Sequence, residues 1–292
     1  PLPKFVGLDD LEKCIQTAKD WQDKYGSEYI IVDTVKCFVD GTNEVGTGAY
    51  VEPIEGTTDN YGEINISEED LTQAIRRLNE EGLSLQLHIV GDRGYRSALN
   101  AVDKVKSELD NPEKDFRIRV TLLHCEMIHP EDVTRAAQKG VFVNVTTAFA
   151  AGEFGDAAKE FVGEERFNNM FAYNDVIKAG ACVNFSADAV DFYTIPYINP
   201  FRQIGYGITR SIPEMNIYGR PKEENKFSLE DMLTGLTINN AKGMGIDHKT
   251  GSIEAGKMAN FLIISKNLFE ATEEEIFETK VEEIYFEGEK VL

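Results

Sequence analysis

Ser84-Leu-Gln-Leu-His-Ile-Val90, followed by Gly91-Asp-Arg-Gly-Tyr95 and a helical run to Leu109, changes its period half-way along. Leu85, Leu87 and Ile89 alternate with Gln86, His88 and Val90; Tyr95, Ala98, Val102, Val105 and Leu109 then recur at helical spacing. The unit predicts strand, turn, helix. Downstream it repeats: Ile118, Val120 and Leu122 share one parity leading into His124, and Pro130, Val133, Ala136 and Ala137 make a helix that Gly140 closes. Strands are expected at residues 141–145 and 181–187, with a helix around residues 167–178 between them and a helix at 201–210 covering the last strand. Upstream, Leu11, Cys14, Ile15, Ala18 and Trp21 form a helix stopped by Gly26. An Ile- and Val-rich strand follows at 29–39, then a helix from Ser67-Glu-Glu-Asp70 to Gly82. Five strands each followed by helical material imply an α/β protein with parallel pairing and right-handed crossovers.

Residues 40–65, rich in Gly, Thr and Asn, are long for a plain connection, and Gly46 and Gly48 place this segment either as a lid or as simple linkage. A helix from Ser228-Leu-Glu-Asp231 to about Lys242 ends the α/β body, residues 1–242. Residues 243–292 differ in texture: turn-rich 251–256, a short buried strand at 261–264, and a hairpin from 281 to 292, together a small β tail.

The chain carries 51 acidic and 30 basic side chains, a net charge of −21, and no basic stripe, so nucleic acid and anionic membrane surfaces are not expected partners. Its longest apolar stretches fall far short of the roughly 20 residues of a membrane helix. Cys14, Cys37, Cys125 and Cys182 are widely spaced without a CxxC pair, as expected of reduced thiols in a cytoplasmic protein. A small-molecule substrate is the expected partner.

There are four histidines, and His88 and His124 stand where strands end, on the rim where parallel sheets bind ligands. Each is a metal ligand or a hydrogen-bonded core residue on equal terms. Asp188 shares a parity with Cys182, Asn184 and Ser186 and ends its strand either facing a polar interior or capping the next helix. Lys36 holds the corresponding place in the first expected strand, where it needs a counter-charge, such as Asp40 or Asp188, or must lose its own charge. His129, before Pro130, and His248, in the turn from Gly245 to Gly251, are expected at the surface.

Val35-Lys-Cys-Phe-Val-Asp-Gly41, His88-Ile-Val-Gly-Asp92, Leu123-His-Cys-Glu126, Ser186-Ala-Asp-Ala189 and Gly251-Ser-Ile-Glu-Ala-Gly-Lys-Met-Ala259 together resemble the amidohydrolase superfamily, its amidohydrolase 3 subgroup, in that family's order and over nearly the whole chain. The resemblance implies a (β/α)8 TIM barrel, a β-sandwich built from both chain ends, and one or two divalent metals at the barrel mouth. It matches Lys36 to the carboxylated lysine bridging two metals, His88 and His124 to ligands of the second metal, and Asp188 to the first-metal ligand that handles the proton of the attacking water. Zinc suits a set mixing imidazole and oxygen ligands, as do iron, manganese and nickel. The implied activity is hydrolysis of a C–N bond in an amide, formamide or cyclic amide; the alternative is a non-catalytic regulatory or interaction protein on the same scaffold, like the exoenzyme regulators.

One departure is informative. The family's His-x-His pair, which supplies the first metal, is absent, and the chain opens Pro1-Leu-Pro3 without an initiator methionine. The five units then correspond to the last five of eight, an incomplete barrel with the sandwich tail. Such a fragment is expected to be inactive alone and, through its exposed sheet edges, to form homo-oligomers.

Overall fold

The computed structural model describes residues 2–189, 195–217 and 223–292, which pack as two compact units. The first comprises Pro1–Val143, Asp156–Ala172 and Lys178–Ala181; the second comprises Asn144–Gly155, Tyr173–Ile177 and Cys182–Leu292.

In the first unit the helices α1 (Leu8–Tyr25), α2 (Glu68–Glu81) and α3 (Asp92–Ser107) and the strands β3 (Ser84–Ile89) and β4 (Val120–His124) fall close to where periodicity places them, but of the strand expected at 29–39 only β2 (Thr34–Phe38) forms, with Tyr29, Ile30 and Ile31 exposed. Helix α2 begins where the Ser67 hydroxyl accepts the Asp70 N–H and ends at Gly82, whose φ of 72° is cheap only without a Cβ. One strand was not foreseen. The two-residue β1 (Lys4–Phe5) pairs in parallel with β2, Lys4 beside Lys36 and Phe5 beside Cys37, so the sheet has six strands rather than five. Two residues are too few to show a period. With β5 (Phe142–Val145) and β6 (Cys182–Phe185) the sheet runs β1-β2-β3-β4-β5-β6, and β1 through β4 pair in parallel.

Alternation sorts the faces. Val35, Cys37, Leu85, Leu87 and Ile89 are buried beneath helices whose inward residues include Leu11, Ile15, Leu71, Ile75, Leu99 and Val102. Each large apolar side chain removed from water this way contributes about 1.5–3 kcal/mol. On the opposite face Lys36, Phe38, Gln86 and His88 are half-buried, Lys36 in register with Gln86 and Phe38 with His88.

Much of the segment 40–65 is tied to the elements around it. Ala49 and Tyr50 are fully buried, Val51 N–H donates to Asp92 Oδ1 at 2.8 Å, Asn65 N–H to the Val39 carbonyl at 2.8 Å, and the Arg166 guanidinium to the carbonyls of Glu52 and Pro53 at 3.2 and 2.8 Å.

In the second unit, the expectation that the helix near residue 201 covers β6 is corrected. Pro200–Thr209 packs against the short helices Thr147–Ala151 and Glu273–Phe277, with the Tyr206 and Phe277 rings 5.6 Å apart. Strand β6 is met instead by the helix starting at Leu229, whose π-helical turn Gly235–Asn239 leads into Asn240–Met244. Asn239 Nδ2 donates to the Val183 carbonyl at 2.8 Å and Asn240 Nδ2 to the Phe185 carbonyl at 3.0 Å. Gly235 is needed there because a Cβ would lie 2.2 Å from the Phe185 ring. The tail strands β7 (Phe261–Ile264), β8 (Val281–Phe286) and β9 (Glu289–Lys290) form a three-stranded antiparallel sheet, with the expected hairpin between β8 and β9. Strand β7 is not the buried strand its composition suggests, since Leu262 and Ile263 are 47% and 43% exposed. Apolar content marks a strand but not how many layers cover it. Among the described residues no helix is long and apolar enough to cross a membrane.

Candidate metal centre

His88 follows the alternation of β3 and emerges on the half-buried face. His124 does not follow the alternation of β4. Its register partner is Ile89, on the helix-covered face, yet its ring meets that of His88 edge-on with centroids 4.6 Å apart. The backbone explains the turn: His124 and Cys125 have φ of 69° and 46°, two successive left-handed residues without glycine. Such residues cost about 1–3 kcal/mol each and persist where the surroundings over-determine them, commonly at functional sites. Asp188 is likewise left-handed, with φ 43°.

Lys36 lies on the same side as His88. Its Nζ sits 4.8 Å from the centre of the Phe38 ring, which is 5.0 Å from the His88 ring. Burial lowers the His124 pKa to about 3, with His88 and the Lys36 charge acting in the same direction, so His124 is a neutral imidazole at physiological pH. His88 Nε2 lies 2.8 Å from the Gly41 carbonyl, and since a carbonyl only accepts, Nε2–H donates.

Asp40, considered as a counter-charge for Lys36, is engaged by main-chain donors. Its carboxylate, 1% exposed, accepts the backbone N–H of Val90, Gly91 and Ala49 at 3.0, 2.8 and 3.1 Å. Burial pushes its pKa up to about 7 against the pull of those three N–H groups. An unfolded carboxyl titrates near ~3.9, so this group's contribution to stability is full below about pH 4 and is lost as pH rises to about 7. The urea midpoint is therefore expected to fall over that window, and Asp40→Asn to flatten the fall. Equal pH slopes in the two proteins would refute the assignment.

Beside this clamp the loop reaches the end of β4. Asn43 Nδ2 donates to Glu126 Oε2 at 2.7 Å, and Tyr50 Oη donates to Asn43 Oδ1 at 3.0 Å, all three residues being buried. Sequence reasoning missed Phe38, Asn43, Tyr50 and Glu126. Phe38 was within reach, since it shares the parity of Lys36; nothing in the spacing joins Asn43 to Glu126, 83 residues away.

The structure thus brings Lys36, His88 and His124 together. Asp188 belongs to the second unit, is exposed, and follows β6; its reading as a helix cap concerns residues 190–194, outside those described. His129 is half-buried and caps the 3-10 turn Pro130–Asp132, accepting the Glu131 N–H, and His248 is exposed.

Two adjoining imidazoles, one held neutral by burial, are donors suited to a divalent ion of the zinc class. Lys36 fits such an ion only without its ammonium charge. Among the described residues no group of three or more His, Cys, Asp and Glu side chains is placed to hold a metal.

The sequence profile of the Amidohydrolase family, subgroup 3, matches residues 6–292. The chain belongs to the amidohydrolase family. "Protein LONG AFTER FAR-RED 3" of Arabidopsis thaliana is 25% identical over 241 residues, covering 82% of this chain and 40% of that protein. "Putative amidohydrolase YtcJ" of Bacillus subtilis is 23% identical over 247 residues, 85% of this chain and 44% of that protein. The amidohydrolase chain therefore spans less than half the length of these curated relatives. An uncharacterized metal-dependent hydrolase from Pyrococcus furiosus superposes with a TM-score of 0.66 at 18% identity, over 84% of this chain and 47% of that one, so the two share a fold.

Proposed function

We propose that this chain carries the second-metal half of a metal-dependent amidohydrolase that cleaves a C–N bond of an amide, formamide or cyclic amide. The single observation supporting this most is the contact of His88 and His124 at the ends of neighbouring parallel strands, reached at His124 through a left-handed backbone. In this reading the six-stranded sheet is part of a TIM-barrel wall, with residues 1–242 as barrel domain and residues 243–292 as the carboxy-terminal share of a sandwich.

His88 and His124 would hold the ion, zinc by preference, and Lys36 would join them as a carbamate, which turns its positive charge into an oxygen ligand. When bound, the ion would lower the pKa of water toward about 7 and polarise the scissile carbonyl. The half-buried face bearing Phe38 and Gln86 would pack against a small-molecule substrate and exclude solvent. Asp188, assigned by its motif alone, would take the proton of the attacking water and return it to the leaving amine. The chain alone, lacking the His-x-His pair, is inactive in this reading.

The test uses the protein extended to the length of its relatives, assayed on simple amides, N-substituted formamides and cyclic amides. Hydrolysis abolished by a chelator and restored by zinc is the expected result. Turnover that survives complete metal removal would sink the proposal.

A further inference from the structure

Asp40 and Gly41 are neighbours in sequence, and each grips the end of β3 in a different way. The Asp40 carboxylate takes the backbone N–H groups of Val90 and Gly91, just past His88, together with that of Ala49 across the loop. The Gly41 carbonyl takes the His88 ring itself. Gly41 is held from its other side too: its N–H donates to the Thr47 carbonyl at 3.0 Å, and a Cβ there would lie 2.2 Å from Thr47 Oγ1. Asn65 completes the grip, its Nδ2 donating to the Asp40 carbonyl at 3.0 Å. The Gly41 carbonyl therefore has little freedom to leave His88.

A neutral imidazole has one N–H and one lone pair, and the nitrogen that donates to a fixed carbonyl keeps the proton. We infer that Asp40 is a positioning residue which, by locking the Gly41 carbonyl onto His88 Nε2–H, fixes this imidazole as the tautomer whose lone pair is on Nδ1. The inference deepens the metal reading and rests on it only for the consequence, namely which nitrogen faces the ion. A purely structural role for Asp40 would stabilise the loop and leave the tautomer ratio untouched.

Nitrogen-15 NMR of histidine-labelled, metal-free chain reads the tautomer directly. Wild type is expected to show His88 protonated at Nε2. Two variants disturb the clamp without emptying it. Asp40→Asn keeps an acceptor oxygen but sets an NH2 group against at least one backbone N–H. Gly94→Ala leaves Asp40 in place and brings a methyl to 2.9 Å from its Oδ2. Both are expected to move His88 toward a mixture of tautomers and to weaken zinc binding about tenfold, as loss of an orienting partner does. Should Asp40→Asn fail to fold, the wild-type spectrum and Gly94→Ala decide the matter. A His88 protonated at Nδ1 in wild type, or folded variants with wild-type tautomer and zinc affinity, would overturn the inference. A tautomer shift in a chain that takes up no zinc would uphold Asp40's role while defeating the metal reading.

Discussion

Gly91→Ala is expected to destabilise the first unit by at least about 3 kcal/mol. The methyl would lie 2.0 Å from the Ala49 carbonyl oxygen and 2.6 Å from its carbon, so the obstacle is backbone rather than the end of a pliable side chain. Overpacking of this kind costs about 1–3 kcal/mol where side chains can yield, and here a loop must leave instead. Its departure would break the bonds from Gly91 N–H and Ala49 N–H to Asp40 and from Arg93 N–H to the Ala49 carbonyl, with about 1–3 kcal/mol for each buried group left unsatisfied. Gly56→Ala is the control. Gly56 has φ of 74° but nothing within 4 Å of a Cβ, so only the left-handed backbone penalty of roughly 1–2 kcal/mol is expected. Urea unfolding of both variants measures the difference; a Gly91→Ala midpoint matching that of Gly56→Ala would remove the close approach from the account.

His88→Ala and His124→Ala are each expected to weaken zinc binding by more than about a hundredfold, beyond the 10–100-fold typical of losing a partner that only orients a ligand. Competition with a chromophoric chelator measures this on the chain as it stands. The two variants should differ in stability. His124 is 6% exposed, and its removal leaves a cavity at a strained backbone, whereas His88 is half-buried and its loss removes the ring that meets the Gly41 carbonyl. Zinc affinity unchanged in both variants would end the ligand assignment whatever the stabilities.

Much of this site was legible because parallel strands state their register through period-two apolar runs. Leu85, Leu87 and Ile89 fix which face His88 takes, and turn glycines mark where α2 and α3 stop and start. His124 was legible as a strand-end residue but not as a neighbour of His88, because alternation alone sends it to the opposite face and only the left-handed turn at 124–125 brings it back. The Asp40 clamp was hidden because its partners are main-chain N–H groups, which every residue but proline carries and no sequence pattern announces. The cover over β6 was misplaced for a related reason: apolar spacing makes residues 201–210 a good helix, while the contact with the strand is made by amide side chains in the later one.

Those two asparagines also bear on how the protein behaves when concentrated. Successive outward carbonyls on one side of a strand are two residues apart, and Asn239 and Asn240 cover such a pair at Val183 and Phe185 from one widened helical turn. An incoming peptide, whether a neighbour's stray segment or a nascent fibril, would find those acceptors already taken and would have to evict the helix before it could zip on. Any strand that pairs at that border, a further barrel strand included, therefore has to displace Asn239 and Asn240 first.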